Sequence, residues 1–496
     1  QFLFVYEQFD DVRLVAAPPS SIGKFGGDTD NWIWPRHTGD FSMFRVYASK
    51  DNRPAAYSPQ NVPYRPKKHF SISTKGVKEG DFTMIYGFPG NTQEYILSDA
   101  VAYIAERSDP AKIAVRTGRL DIITKAQESD PALRIHYAAK HASIANAWKK
   151  WQGEALGIDR RGTVAAKFDY ETQFGLWSVG RPEYAGVVMG LRAEYDRIMD
   201  AYFAYEITRE TLSTLPAAYT PEERAEECFA RRKFAEQALW RHAFREYGRC
   251  PKVYRTPSYA EGMARYKSPE AYADALFEAV WEGSDSVAMQ PAVRLREETK
   301  RMLDHISWML GTKSLRNLNS KILNELYTTY IKGLREWDRE RAFYPDANLT
   351  LRVAYGSVAG YEYADGEYHK PQTTLDGIIA KDNPEIYDYD IPQSLRDLYA
   401  SKNYGRWGTV IDGRRTVPVC FLATNHTTGG NSGSPVLNAG GELIGINFDR
   451  TWRSTMSDIA FDPAICRNIA VDIRYVLFVV DRVGGAGYLL KEMTLK

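Results

Sequence analysis

Cysteine and histidine are scarce in this chain of 496 residues, which has 4 cysteines and 8 histidines. No two cysteines form a CxxC pair, so a zinc site is not expected, while disulfide bonds and buried thiols both remain open. Long apolar runs are also missing, since the longest near the end, Tyr475–Val480, is far short of the roughly 20 residues that span a bilayer. We therefore expect no membrane span, no metal and no other cofactor.

A strong excess of charge of either sign is absent as well. The formal net charge is +1, with 44% hydrophobic and 26% charged residues. Proteins that bind nucleic acid usually carry a basic face, so no nucleic-acid partner is expected. The length predicts roughly two to four domains. Because Gln1–Tyr6 reads as the inside of a strand or helix, we expect the natural protein to begin further upstream.

Both ends of the chain have the pattern of β structure. Aromatic and β-branched runs at 41–47, 82–86, 349–355, 417–422 and 443–448 predict strands, and Asn438–Gly441 predicts a hairpin turn. We assign residues 1–100 and 346–496 to one β domain that is interrupted along the sequence.

The middle of the chain, residues 101–345, has the pattern of helices. Thr220, Pro221 and Glu223 form the signature of a helix start, ahead of a long segment that ends near Gly248. Ser268, Pro269 and Gly283 bracket a further helix in the same way. We predict that these residues form an all-helical domain inserted into the β domain.

The segment Thr428–Pro435, with the sequence TGGNSGSP, is the strongest functional signal. Chymotrypsin-type peptidases place the nucleophilic serine in such a loop, where the backbone N–H groups of the serine and of the glycine two residues earlier bind the oxyanion. Here these residues are Ser432 and Gly430. Ser434 is a competing nucleophile, and a Gly/Ser-rich hairpin loop without catalytic function is the alternative for the whole segment.

Asp40 is the candidate for the aspartate that would orient a catalytic histidine. It leads directly into the strand predicted at 41–47, and it precedes the serine, as the order His, Asp, Ser requires. The alternative is an aspartate that only caps the turn after Gly39.

Three strings resemble the S46 family of bacterial dipeptidyl-peptidases, most closely its acidic-residue-specific dipeptidyl-peptidase 11 type. They are Phe25–Asp40 (FGGDTDNWIWPRHTGD), Thr428–Pro435, and the closing Val471–Val480 with Gly485–Tyr488 and Glu492–Thr494. The resemblance implies an α+β fold, a chymotrypsin-like double β-barrel whose first barrel is incomplete here, with a large inserted all-α domain. It also implies release of dipeptides from free peptide N-termini, a homodimer, and a periplasmic or cell-surface location.

Four further residues are assigned through the resemblance to binding the α-ammonium group of the substrate. Asn31 and Trp32 belong to this subsite, Asp449 is its charged partner, and Asn146 reaches the same amine from the helical domain. A buried ammonium group needs a carboxylate and carbonyl groups as hydrogen-bond acceptors. A subsite that binds the N-terminal ammonium two residues from the cleaved bond makes a dipeptide the product. The alternatives are a turn with a packed aromatic ring for Asn31 and Trp32, and a solvent-facing helix residue for Asn146.

Arg450 indicates which side chain precedes the cut. Through the resemblance, the segment after the strand predicted at 443–448 lines the pocket for the residue whose carbonyl is attacked, and apolar-selective members have a glycine there. The planar fork of arginine matches a carboxylate, so we expect a preference for Asp or Glu. The alternatives are an ion pair of Arg450 with an acid of this chain, and apolar selectivity of the dipeptidyl-peptidase 7 type.

A catalytic histidine is missing from its expected position upstream of Asp40. His37, three residues before Asp40, and His426, six before Ser432, are poorly placed, and the remaining histidines stand in no motif: His69, His136, His141, His242, His305 and His369. An incomplete piece of an active enzyme is our preferred interpretation, over a peptide-binding homologue without activity or a substitute histidine. Without the general base, this chain alone should be nearly inactive.

Overall fold

The computed structural model of the chain describes residues 3, 5–283, 286–312 and 318–496. The chain divides into two compact units, one formed by Gln1–Thr92 with Asp346–Lys496 and the other by Gln93–Pro345. The sequence boundary between residues 100 and 101 thus falls inside the first helix of the second unit, Ser98–Ala102. The prediction of a regular element at Gln1–Tyr6 falls largely on residues 1, 2 and 4, outside the described part.

In the part of the chain that the structure describes, strands occur in the first unit only. They are β1 Val12–Ala16, β2 Met43–Ala48, β3 Val62–Pro63, β4 Phe82–Gly87, β5 Arg352–Ser357, β6 Tyr361–Ala364, β7 Glu367–His369, β8 Gln372–Thr374, β9 Thr409–Ile411, β10 Arg414–Thr416, β11 Pro418–Ala423, β12 Pro435–Leu437, β13 Leu443–Arg450 and β14 Asn468–Asp472.

Helices occur in both units. They are α1 Ser20–Gly23, α2 Ser98–Ala102, α3 Asp109–Ser129, α4 Pro131–Arg160, α5 Thr163–Trp177, α6 Val187–Glu210, α7 Pro221–Ala225, α8 Lys233–Tyr247, α9 Pro257–Tyr266, α10 Pro269–Glu282, α11 Ser286–Leu310, α12 Lys321–Trp337, α13 Leu375–Lys381, α14 Gln393–Ser401 and α15 Ile473–Phe478. The helices α2 to α12 belong to the second unit.

A seven-stranded sheet with the order β5-β4-β12-β13-β14-β11-β8 organises the first unit. Strand β4 pairs with β5 on one side and with β12 on the other, so residues from both sides of the helical segment share one sheet. The predicted hairpin turn between β12 and β13 is confirmed, with Asn438 N–H donating to the Glu442 carbonyl at 3.0 Å and Asn438 Oδ1 accepting from Gly440 N–H at 2.9 Å.

The core of this unit lies on both faces of the sheet. All residues of β11 and β14 are buried, and β11 as well as the middle of β14, 469–471, is apolar without alternation. The helix α15 packs against β11, β13 and β14. A second group of buried side chains lies around Phe421, Ile85, Val436 and Ile444.

Among the described residues, the named strands of the large sheet end at β5 and β8, and β1, β2 and β3 form a separate three-stranded sheet. Just beyond β5, Val358 forms an isolated antiparallel bridge with Ala423 of β11, and Thr424 N–H donates to the Ser357 carbonyl at 2.9 Å. What the structure supports of the predicted fold is therefore mixed α and β structure with a large helical content.

The helical unit is built around a buried cluster from α3, α4 and α8, which includes Ile123, Tyr137, Ile144 and Leu239. The predicted helix at 269–282 is confirmed, with Ser268 Oγ accepting from Ala271 N–H at 3.2 Å and Gly283 in the left-handed region at φ +59°. No helix in the described part of the chain is both long and apolar enough to cross a membrane.

The prediction of one long helical segment from Thr220 to near Gly248 is wrong in its middle, although its start and its end are right. Thr220 and Glu223 form the predicted capping box, with bonds of 3.2 and 2.7 Å. The helix ends at Ala225, and α8 begins only at Lys233. Between them the chain turns so that the carboxylate of Glu226 meets the buried guanidinium of Arg232 at 3.1 Å.

All four cysteines are buried, and none of them forms a disulfide bond within the described residues. Burial raises the pKa of Cys250 to about 11 and that of Cys420 to about 12. Of the two possibilities that the sequence left open, the structure therefore has the buried thiols.

Candidate active site

The serine loop Thr428–Pro435 connects β11 to β12 and is clamped from within by Asn431. Asn431 Oδ1 accepts from Thr428 N–H at 3.1 Å, and Asn431 N–H donates to the Thr428 carbonyl at 3.0 Å. Asn447 of β13 fixes the loop from outside, because it donates through Nδ2 to the Asn431 carbonyl at 3.1 Å and accepts from Gly433 N–H at 2.8 Å. These bonds hold the backbone in one shape.

Glycine is required at position 430. Its φ is +103°, and a Cβ there would lie 2.4 Å from the carbonyl oxygen of Phe88. Within the described residues, the backbone N–H groups of Gly430 and Ser432 donate to no acceptor, and both residues are exposed. Unused N–H groups on a rigid loop are what an oxyanion hole needs.

The two serines of the loop differ in a way that favours Ser432 as the nucleophile. Ser432 is exposed, and its Oγ donates to the Phe448 carbonyl at 3.1 Å. Ser434 is 6% exposed and faces Gly87, where a Cβ would lie 2.3 Å from Ser434 Oγ. Ser434 therefore packs the loop against β4.

The segment Phe25–Asp40 is an irregular loop that several long-range contacts hold in place. The Asp30 carboxylate accepts from Lys381 Nζ at 2.8 Å and from the Tyr389 hydroxyl at 3.0 Å. Trp34 Nε1 donates to the Lys370 carbonyl at 3.0 Å, and Thr373 Oγ1 donates to the Arg36 carbonyl at 2.7 Å. This loop brings Trp32 and Arg36 to the end of β13.

Asp449, at the end of β13, is the centre of the polar site. Its Oδ2 accepts from Arg36 Nη1 at 2.7 Å and from Trp32 N–H at 3.2 Å, and its Oδ1 accepts from Arg450 N–H at 2.8 Å. The side chains of Arg36 and Asp449 are 8% and 10% exposed. Trp32 has φ +67°, an unfavourable conformation for a bulky residue, and its carbonyl accepts from Trp452 N–H at 2.5 Å.

Asp40 lies within the electrostatic reach of this pair. Burial raises the pKa of its carboxyl, Arg36 lowers it and Asp449 raises it. The residue as a whole is nevertheless exposed. Asn31, next to Trp32, is half-buried. Asn146 is exposed on α4 in the helical unit, so its part in this site stays a prediction.

Arg450 has the internal ion pair that was the alternative to substrate binding. Its Nη1 and Nη2 donate to the two carboxylate oxygens of Asp458 at 2.6 and 2.7 Å. Nη1 also contacts the Thr427 carbonyl at 3.2 Å and Ser457 Oγ at 2.9 Å, and the guanidinium carbon lies 5.6 Å from the centre of the Trp32 ring. Neither Asp458 nor Arg36 was predicted as a site residue from the sequence, although Arg36 stands inside one of the family strings.

The two histidines nearest to the motifs have other surroundings. His37 is 4% exposed and faces Gly377 of α13, and burial, with a contribution from Lys381, lowers its pKa to about 3. His426 contacts the Ser457 carbonyl through Nε2 at 2.9 Å and stacks on Phe461, and burial lowers its pKa to about 4. The hydroxyl of Ser432 donates to the Phe448 carbonyl rather than to either imidazole.

A group with metal-ligand chemistry lies in the helical unit, where His136, Glu226 and Cys228 have ligand atoms within 4.8 Å of one another. Arg232 Nη1 lies 2.7 Å from His136 Nε2 and 3.1 Å from Glu226 Oε2. The guanidinium thus already stands where a cation would bind, and we assign no metal to these residues.

The glycine loop, the exposed serine and the buried carboxylate together define a candidate hydrolase site. The sequence model of the Peptidase S46 family matches residues 1–220 and 222–495, so the chain belongs to this family of peptidases.

Known relatives agree with this assignment. The Asp/Glu-specific dipeptidyl-peptidase of Capnocytophaga gingivalis is 42% identical over 539 residues, and that of Flavobacterium psychrophilum is 43% identical over 533 residues; each alignment covers 99% of this chain and 74% of the relative. The crystal structure of Porphyromonas endodontalis DPP11 in complex with the dipeptide Arg-Glu has a TM-score of 0.83 and 35% identity, covering 98% of this chain and 75% of that one.

Proposed function

We propose that the protein is a serine exopeptidase that releases N-terminal dipeptides and prefers Asp or Glu before the cut, through an acyl-enzyme. The observation that carries the proposal is the rigid loop in which Ser432 is exposed beside the unused N–H groups of Gly430 and Ser432. The names of the similar relatives support the dipeptide product and the acidic preference.

In this proposal, Ser432 attacks the carbonyl carbon and the N–H groups of Gly430 and Ser432 bind the oxyanion. Asp40 orients the catalytic imidazole. We assign that imidazole to no histidine of these 496 residues, so hydrolysis by this polypeptide alone is expected to be slower by orders of magnitude. A chymotrypsin-like double β-barrel is the architecture that would bring such a base to Asp40.

Substrate length would be set by an amine subsite of Asn31, Trp32 and Asp449, and the role of Asn146 stays a prediction. Asp449 brings a carboxylate that is already oriented by three donors, and an α-ammonium is its natural ligand. Arg450 would bind the acidic side chain. The homodimer and the periplasmic or cell-surface location belong to the same proposal, and sedimentation analysis of the purified protein tests the dimer.

The experiment compares fluorogenic dipeptide amides with Glu, Asp, Leu or Ala as the second residue, using the full-length protein as it is encoded. We expect cleavage of the acidic substrates, loss of cleavage when the substrate amine is acetylated, and loss in Ser432→Ala. Ser434→Ala is the matched control and should retain turnover. Equal or better cleavage of the apolar substrates would instead favour selectivity of the dipeptidyl-peptidase 7 type, and binding of dipeptides without any cleavage would favour a peptide-binding homologue.

A further inference from the structure

In the proposed function, the guanidinium of Arg450 binds the acidic side chain of the substrate. In the structure, the carboxylate of Asp458 is bonded to this guanidinium. Asp458 ends the short 3-10 segment Trp452–Asp458, eight residues after Arg450. Its two oxygens lie 2.6 and 2.7 Å from the two terminal nitrogens of Arg450, and the side chains are 14% and 5% exposed. This is a bidentate, largely desolvated pair.

The position of Arg450 does not depend on Asp458 alone. The Thr427 carbonyl and Ser457 Oγ also accept from its Nη1, at 3.2 and 2.9 Å, and the guanidinium lies over the Trp32 ring. If Asp458 lost its charge, these contacts would still hold the arginine. The main effect would then be electrostatic.

No charge from the neighbouring histidine offsets that of Asp458. His426 stacks on Phe461 and contacts the Ser457 carbonyl, and its pKa of about 4 keeps the ring neutral at neutral pH. Arg450 and Asp458 therefore form a pair whose formal charges cancel at the place where an acidic side chain would bind.

We propose that Asp458 is a specificity-determining residue that acts through Arg450. It shares the guanidinium with the substrate carboxylate and limits how strongly an acidic residue is preferred over a neutral one of the same shape. This inference rests on the proposed function, because it takes Arg450 as the group that meets the acidic side chain. Asp458 is thus a positioning residue and touches no reacting atom.

The expected size follows from Coulomb's law. A second carboxylate on the same guanidinium would stand about 6 Å from that of Asp458, and at effective dielectric constants between about 20 and 80 the repulsion corresponds to roughly a 3- to 100-fold change in an equilibrium constant. Removing the charge of Asp458 should therefore favour a Glu substrate over its Gln isostere by a factor in this range.

The test measures kcat and KM of the full-length protein for two fluorogenic dipeptide amides that differ only in Glu or Gln as second residue. In Asp458→Asn, the Glu-to-Gln ratio of kcat/KM should rise at least about 3-fold, mainly through KM of the Glu substrate. Asp365→Asn, which removes an exposed acid in the turn between β6 and β7, is the matched control and should leave the ratio unchanged.

An unchanged ratio in Asp458→Asn would mean that Asp458 only supports the fold, and a lower ratio would mean that it is needed to present Arg450; both results overturn the inference. If Asp458→Asn does not fold, the Glu-to-Gln ratio of kcat/KM is measured on Asp458→Ser instead, and the same outcomes support or overturn the inference. If the unaltered protein does not prefer Glu over Gln, the proposed acidic specificity itself fails, and this inference fails with it.

Discussion

The ion pair between Arg36 and Asp449 gives the sharpest prediction about the stability of the site. The change Arg36→Met keeps the length of the side chain but removes the donor that lies 2.7 Å from Asp449 Oδ2. Of its partners among the described residues, the largely buried carboxylate then keeps the N–H groups of Trp32 and Arg450. Removing one partner of a buried pair typically costs about 3–5 kcal/mol, and the retained N–H donors reduce this.

We therefore expect Arg36→Met to lower the free energy of unfolding by about 2–4 kcal/mol. Urea unfolding followed by tryptophan fluorescence and far-ultraviolet circular dichroism measures it. The double variant Arg36→Met with Asp449→Asn should recover at least about 1 kcal/mol, because the unpaired buried charge is then gone. The matched control is Lys370→Met, which breaks an exposed pair of the same 2.7 Å length with Asp412 and should cost less than about 1 kcal/mol.

Two results would refute this reasoning. If Arg36→Met cost no more than the exposed control, the pair would have no special role in holding the loop to β13. If the double variant were no more stable than Arg36→Met alone, the cost would come from other lost contacts of the arginine and not from an unpaired charge. These contacts are its packing on Phe448, where the guanidinium carbon lies 5.2 Å from the ring centre, and its bond to Thr38 Oγ1.

Two further predictions concern the loop and the response to acid. Gly430→Ala should destabilise the protein by at least about 1 kcal/mol more than Gly441→Ala. Both glycines have positive φ, but only at position 430 would the added Cβ meet a carbonyl oxygen, that of Phe88 at 2.4 Å. Equal losses of stability in urea unfolding would contradict this. His37 has a pKa of about 3 in the folded protein, whereas a histidine in the unfolded chain has a pKa near 6.5. Between these values the unfolded chain binds a proton that the folded protein does not bind. The contribution of the neutral His37 to the free energy of unfolding is therefore present above pH 6.5 and is lost as the pH falls toward 3. Between pH 7 and pH 5 this loss should lower the free energy of unfolding by about 2 kcal/mol. We expect this part of the pH dependence to be absent in His37→Gln and to persist in the exposed control His69→Gln. An unchanged pH profile in His37→Gln would show that another group is responsible.

Local patterns in the sequence predicted those parts of the fold that neighbouring residues determine. The hairpin turn at Asn438 and the helix from Pro269 both follow from side chains that bond the backbone two to four residues away. The single helix expected after Thr220 was wrong, because Arg232 and Glu226 meet and turn the chain between α7 and α8. The pairing of β4 with β5 and β12 had no local signal.

The candidate site divides in the same way. The serine loop is recognisable because its glycines and Asn431 determine its shape within a few residues. Arg36 was missed because its partner Asp449 is 413 residues away along the chain, and nothing near Arg36 indicates which carboxylate it will meet. The number of charged residues in a sequence indicates that ion pairs will form. It does not indicate which residues pair with each other.

Arg450 shows why a residue type alone leaves a binding role undecided. A guanidinium fork suits any carboxylate, whether it comes from a substrate or from the chain itself. The structure pairs Arg450 with Asp458, but a planar guanidinium has more than one edge for acceptors, so this pair does not exclude a second carboxylate. If a glycine stood at position 450, as the apolar-selective type is expected to have, Asp458 would be a largely buried carboxylate without this cation. In the proposed function, positions 450 and 458 would therefore act as one unit, in which the arginine binds an acidic side chain and the aspartate sets how strongly that charge is favoured.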